Sequence, residues 1–357
     1  MPIRRLVVLI VLITLGPFAK VQAQDSTSLL NWLEPPPFLE GTDLFWTLQD
    51  EVGSQGPQST FPHLLEADIF PHFILAFGAQ CRNTSPDVMA ALRNIFRPCI
   101  SVTPAVRLRM LKRESTPIPA PSFMPRVNVQ WLFRQGDDKL WNIYAQAGHH
   151  SNGQSGCLFV WTGAEPRNAA CVDYDRDPQS ADQAVVDQFR RWEGERPASL
   201  PELEPGFIQA DKLNGNFAVN YVRFGFDWAI YSRPGISWRL GASYEHSPDR
   251  WMFRPLRQFY PDKRVDGVAG FSYGSLRLCR RLDLFANIRG WRREKRLELP
   301  DRPMALQMTC VVNEEQGVGF FVRYYRDYDY YNASFLDNIS RFHVGFTINR
   351  LKAFGLG

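Results

Sequence analysis

The chain has 357 residues, of which 45% are hydrophobic and 22% charged, with a formal net charge of +4. Three of its 41 Lys and Arg residues (Arg4, Arg5 and Lys20) lie in the first 23 positions, so the remainder carries 38 cations against 37 acids and gives nucleic acid no electrostatic footing. Beyond Ala23 no uninterrupted apolar stretch approaches the roughly 20 residues of a membrane-crossing helix, so this chain can span a bilayer only as a strand-built barrel.

Residues 1–23 read as a secretory signal: Arg4 and Arg5 precede an apolar run from Leu6 to Leu15, and Val21-Gln22-Ala23 has the small-residue spacing of a cleavage site. In an exported chain, six cysteines without a Cys-x-x-Cys pair are expected in disulfides. The sequence-adjacent pairing Cys81–Cys99, Cys157–Cys171 and Cys279–Cys310 is the simplest. Residues 24–68 are rich in Pro, Gly and Ser and show no sustained period, only an apolar patch at Leu44, Phe45 and Trp46. They are expected to form a periplasmic arm or cap.

Residues 69–357 alternate with a period of two, which is the pattern of strands with one apolar and one polar face. Phe123, Pro125, Val127, Val129, Trp131 and Phe133 interleave with Met124, Arg126, Asn128, Gln130, Leu132 and Arg134. Ile236, Trp238, Leu240, Ala242 and Tyr244 behave alike, as do Leu282, Leu284, Ala286 and Ile288, and Phe342, Val344, Phe346 and Ile348. Arginine recurs on the polar side. Many segments reach about ten residues, aromatics flank them, and short turns alternate with long polar loops, so the expected fold is an all-β, antiparallel transmembrane barrel. About twelve strands are counted between Phe73 and Asn349. The longest interruption, residues 152–215, is expected to be an ordered extracellular loop stapled by Cys157–Cys171.

The chemistry is expected at the end of one such strand. In Trp141 to Ser151 the odd positions Trp141, Ile143, Ala145 and Ala147 form the lipid face, and His149 and Ser151 continue that face at its loop end. Residues two apart on a strand share a side, which brings a base and a hydroxyl together. Asn220 heads a second apolar row, Val222, Phe224, Phe226, Trp228 and Ile230, also at a loop end. One loop follows Ser151 and precedes Asn220, so the two strands are expected to be antiparallel neighbours with three polar side chains at one rim. Asn orients an imidazole without adding charge, which suits a site facing lipid. His150 points the other way, toward the lumen, and His246 and His343 read as polar barrel residues. Arg280-Arg281 reads as a turn, and the run from Arg292 to Arg296 as a solvated loop able to touch anionic headgroups.

The run His149-His150-Ser151-Asn152-Gly153 resembles the His-x-Ser-Asn-Gly signature of the outer-membrane phospholipase A family. Ser115 to Pro125 looks like that family's proline-containing loop, and Asp337 to Gly345 like its final strand. The resemblance implies a twelve-stranded barrel in the bacterial outer membrane, with a Ser-His-Asn triad facing the cell exterior and acting on membrane phospholipids. It also implies calcium dependence and activation as a homodimer. Carried over, Ser151 is the nucleophile, His149 the base, Asn220 its orienting partner, and the Gly153 N–H a donor to the oxyanion. Calcium would be held by the Gln154 carbonyl, Asn216 and Ser115, but Gly156 stands where the family keeps an acid, and the loop to the Asn strand is longer. Asp173 and Asp175 in that loop are the candidate substitutes. The competing readings are a lipid A deacylase-like barrel esterase, which pairs its His with Glu on an eight-stranded barrel, and a non-catalytic pore or scaffold.

Overall fold

The structure is a computed structural model and describes residues 42–54, 63–75, 99–111, 120–135, 138–161, 171–172, 181, 183–185, 208–211, 215–233, 235–257, 260, 261–274, 279–292, 303–313, 317–328 and 337–348. Its strands in chain order are β1 (Thr42–Ser54), β2 (His63–Ile69), β3 (Phe73–Leu75), β4 (Cys99–Leu111), β5 (Ser122–Gln135), β6 (Lys139–Ser151), β7 (Phe159–Trp161), β8 (Ile208–Ala210), β9 (Ala218–Arg233), β10 (Ile236–His246), β11 (Lys263–Gly274), β12 (Arg281–Arg292), β13 (Met304–Asn313), β14 (Val318–Tyr328) and β15 (Asp337–Ile348).

Twelve of these close into an antiparallel barrel in the order β2-β1-β15-β14-β13-β12-β11-β10-β9-β6-β5-β4, with β2 pairing β4 to complete the ring. Closure leaves no open strand edge, so every wall strand has a backbone partner on both sides, as a lipid environment demands. The short β3 continues the line of β2 along β4, with Phe73 opposite Val102.

The alternation sets the faces. On β9, Phe224 and Phe226 are 56% and 46% exposed while the intervening side of the strand buries Asp227 to 4%. The same division holds on β10, where Trp238, Leu240 and Tyr244 face out and Ser243 and Glu245 are buried, and on β15, where Phe346 and Ile348 face out and Arg341, His343 and Thr347 are buried. A barrel with a greasy exterior and a charged interior is a transmembrane barrel of the outer-membrane type.

The interior charges are matched. Arg223 and Arg264 both reach Glu245, Arg289 bridges Asp266 and Asp327, Arg323 pairs with Asp43, and Glu66 serves Arg109 and Arg341. These pairs surround a polar cavity of about 540 Å³. Buried ion pairs add little net stability, but removing one partner strands the other without water.

The expectation for residues 24–68 needs correction, because residues 42–54 and 63–69 are wall strands. β1 pairs with β15 on one side and β2 on the other, and Leu44, Trp46 and Leu48 face out while Asp43 and Phe45 face in. The alternation is present from Asp43 to Leu48 but is short and embedded in Pro- and Gly-rich sequence, which masked it. The total of twelve strands stands, although β4 onward supplies ten and β1 and β2 the others. The signal segment and residues 24–41 lie outside the described residues.

Cys157–Cys171 and Cys279–Cys310 are disulfides, and Cys99 is also disulfide-bonded. The loop between β6 and β9 has its own small sheet, β7 with β8. It packs Leu158, Phe159, Val172, Val185 and Ile208 against Phe217, Val219, Met252, Leu256 and Tyr260. The connection from β10 to β11 therefore shares one apolar cluster with the long loop, at the rim where β6 ends and β9 begins.

Candidate active site

The register of β6 and β9 places His149 directly opposite Asn220, and Ser151 opposite Ala218. His149 and Ser151 are half-buried and Asn220 is exposed, all on the outward side of the wall. His149 Nδ1 lies 2.7 Å from Asn220 Oδ1. Asn220 Nδ2 donates to the Trp251 carbonyl at 3.2 Å.

These two contacts fix the chemistry of the ring. A backbone carbonyl only accepts, so the amide nitrogen of Asn220 must face Trp251 and its oxygen must face His149. An amide oxygen also only accepts, so His149 carries its proton on Nδ1. In the neutral form of the ring that arrangement puts the lone pair on Nε2. Ser151 Oγ makes no hydrogen bond among the described residues, and Ser151 lies two residues from His149 on the same face of β6.

Trp251 reaches Asn220 because the segment after β10 folds back on the end of β9. Met252 bridges Val219, and the Phe253 N–H donates to the Ala218 carbonyl at 2.8 Å. No sequence signal marks a backbone carbonyl, so this contact was not foreseen.

Beneath the pair, on the lumenal side, Tyr221 lies across Gly148. A Cβ on Gly148 would come within 2.3 Å of the Tyr221 ring. The Tyr221 hydroxyl donates to Gln146 Oε1 at 3.2 Å, and its ring lies 4.7 Å from that of His150. His150 is thus a buried lumenal residue, as its even position predicts. On the other flank β5 pairs Phe123 with Ser151 and resumes at Arg126 with Gly148. Pro125 falls in this gap, where its missing N–H costs the ladder a bond.

Asn152 is 2% exposed and acts as a clasp. Its Oδ1 accepts from the Phe217 and Gln154 N–H groups at 3.1 and 3.2 Å, and its Nδ2 donates to the Gly215 carbonyl at 2.7 Å. The chain then enters Gly153 at φ +66, a conformation suited to glycine. The Gly153 N–H has no acceptor among the described residues.

The residues expected to hold calcium are only partly brought together. The Asn216 N–H donates to the Gly156 carbonyl at 2.8 Å, so residues 154–156 and 215–216 run side by side, both tied to Asn152. Ser115, Asp173 and Asp175 lie outside the described residues. Gln154, Asn216 and Gly156 bring no carboxylate, and among the described residues no group of three or more His, Cys, Asp or Glu side chains is arranged to hold a metal. The described part of the set offers neutral oxygens, the type of ligand calcium takes from backbone and Asn or Gln carbonyls.

No family model matches the chain, and no curated protein matches it. Among solved structures, the outer membrane phospholipase A of Escherichia coli is similar over 91% of this chain and 97% of its own, at 11% identity and a TM-score of 0.47. The Salmonella typhi outer membrane phospholipase, a dimer with bound calcium, is similar over 92% of this chain and 99% of its own, at 12% identity and a TM-score of 0.46. The CymD monoaromatic hydrocarbon channel covers 95% of this chain and 96% of its own, at 8% identity and a TM-score of 0.36. Enzymes and a channel stand side by side here, so the chemistry has to be read from the site itself.

Proposed function

We propose that this barrel is an outer-membrane phospholipase that hydrolyses acyl esters of glycerophospholipids at its outer-leaflet rim, with the site facing the cell exterior. The observation that carries this reading is the oriented chain from the Trp251 carbonyl through Asn220 to His149, built on the lipid-facing side of the wall. A polar relay on an apolar face has no packing role to fill, and its neutral Asn avoids the cost of an ionised carboxylate beside lipid.

In the proposed mechanism the Ser151 hydroxyl attacks the ester carbonyl while His149 Nε2 takes its proton. The Gly153 N–H steadies the oxyanion, and His149 returns the proton to the departing lysolipid oxygen. Water, activated by the same nitrogen, then releases the fatty acid from Ser151. Phe123, exposed and paired with Ser151, gives the acyl chain an apolar wall. No step runs through calcium. Activation by homodimerisation is part of the proposal and is read by cross-linking alongside activity.

The test is release of fatty acid from phosphatidylethanolamine and from lipid A by the purified barrel, set against Ser151→Ala and run with calcium and with chelator. Hydrolysis of phosphatidylethanolamine that vanishes in the variant is the expected result, together with a sulfonyl fluoride adduct mapped to Ser151. Activity on lipid A alone would move the assignment to a deacylase. Equal behaviour of wild type and variant would leave a barrel without this chemistry.

A further inference from the structure

The segment joining β10 to β11 holds Asn220 through Trp251 and also presents three arginines that meet no carboxylate among the described residues. Arg250, Arg254 and Arg257 are exposed. None forms an ion pair among the described residues, in contrast to the lumenal arginines Arg223, Arg264, Arg289 and Arg323, each of which meets a carboxylate. Arg250 instead lies with its guanidinium 5.9 Å from the centre of the Trp251 ring. The exposed acid of the segment is Asp249; Asp262 at its far end is engaged by Lys263.

The segment is a built platform. Met252, Pro255, Leu256 and Tyr260 are buried, most of them in the cluster shared with the long loop. Its two short 3-10 turns, Asp249–Trp251 and Arg254–Leu256, are closed by backbone bonds, and the Ser247 N–H donates to the Asp262 carbonyl at 2.8 Å across the base. Burial at 252, 255, 256 and 260 fixes which way 250, 254 and 257 point: outward, from a rigid support pinned to the end of β9. Arginine presents a fork of donors that matches phosphate oxygens, and a half-buried Trp beside it is the composition of a membrane interface.

We infer that Arg250, Arg254 and Arg257 form a binding site for the phosphate of an anionic glycerophospholipid headgroup, beside the Ser151–His149–Asn220 rim. This rests on the phospholipase reading for the identity of the lipid and deepens it: the site selects substrates with a net negative headgroup and holds them next to the nucleophile. The geometry links recognition to chemistry, since Trp251 follows Arg250 directly and its carbonyl orients Asn220.

The deciding experiment measures binding separately from turnover. The full-length barrel carrying Ser151→Ala is reconstituted in phosphatidylcholine vesicles with spin-labelled phosphatidylglycerol or spin-labelled phosphatidylcholine, and the motionally restricted lipid is quantified. The expected result is an enrichment of phosphatidylglycerol of about threefold to tenfold, the size a few interfacial arginines produce after screening. That enrichment should fall to near unity in R250Q/R254Q/R257Q and survive in R250K/R254K/R257K. Unchanged selectivity in the Gln variant, with its barrel folded by circular dichroism, overturns the inference, as does stronger retention of lipid A than of phosphatidylglycerol or full displacement by inorganic phosphate. Hydrolysis by chains with Ser151 intact separates the two proposals. Activity on phosphatidylglycerol and phosphatidylcholine in an unchanged ratio in the Gln variant ends the headgroup site and leaves the phospholipase. No activity in wild type ends the phospholipase, while the spin-label measurement still decides the site.

Discussion

Asn220 Oδ1 sits 2.7 Å from His149 Nδ1 across two adjacent strands, on the side of the wall that faces lipid. Asn220 is held in turn by the Trp251 carbonyl, so the proton on His149 is assigned by a chain of donors and acceptors that admits one orientation.

Replacing Asn220 with Ala removes the acceptor that keeps the proton on Nδ1. The expected outcome is a fall in kcat of about 10²-fold, within the range a positioned general base contributes, with little change in KM. Asn220→Asp restores the acceptor but sets a carboxylate against the Trp251 carbonyl, so it should recover only part of the rate. Fatty-acid release under saturating substrate checks both, and full activity in Asn220→Asp would show that the bond to Trp251 does not matter.

Gly148→Ala places a methyl where the Tyr221 ring lies, 2.3 Å from its nearest atom. Overpacking of this kind costs about 1–3 kcal/mol. The strand that shifts is the one carrying His149 and Ser151, so thermal stability and kcat should fall together. Adding Tyr221→Leu opens the space and should recover stability, read as the temperature at which the barrel loses its folded mobility on a gel.

Asn152→Ala leaves the Phe217 and Gln154 N–H groups and the Gly215 carbonyl without their side-chain partners. Each buried group so exposed costs about 1–3 kcal/mol, but the loss is local to the base of the long loop. Hydrogen exchange at Asp211, Gly215, Asn216 and Phe217 should accelerate while amides in β11 to β13 stay protected. Uniform exchange across the barrel would contradict a clasp confined to the loop.

Arg223 and Arg264 both donate to Glu245 Oε2, at 2.6 and 2.7 Å, so Glu245→Gln strips Arg223 of its carboxylate among the described residues and leaves Arg264 with Asp266. Removing one partner of a buried ion network costs about 3–5 kcal/mol. Urea unfolding should move to lower concentration by a corresponding amount, with the rim chemistry intact below the transition. A neutral effect would mean that water reaches these arginines in the lumen.

Much of the wall could be read from the amino acids. Phe224 and Phe226 alternate with Arg223 and Asp227, and in a bilayer that alternation has one solution, because a charged side chain on the lipid face is far costlier than one in a polar lumen. β1 was missed because its six informative residues, Asp43 to Leu48, are too few to outweigh Pro-rich flanks. They become a strand through pairing with β15, at the far end of the chain. Asn152 was visible within its motif but its work was not, since its partners Gly215 and Phe217 lie 63 and 65 residues away.

Amino-acid order alone was enough to show that this chain is a barrel and that His149, Ser151 and Asn220 lie at loop ends of apolar rows. Period-two alternation is a local property, and it assigns every side chain to a face without knowledge of its neighbours. Which residues meet on that face depends on how the strands and loops pack together. The register of β6 on β9 sets His149 against Asn220, and the fold of the segment after β10 brings a backbone carbonyl of Trp251 to the amide. Every residue carries such a carbonyl, so nothing in a sequence can mark the one that matters until the loop has packed.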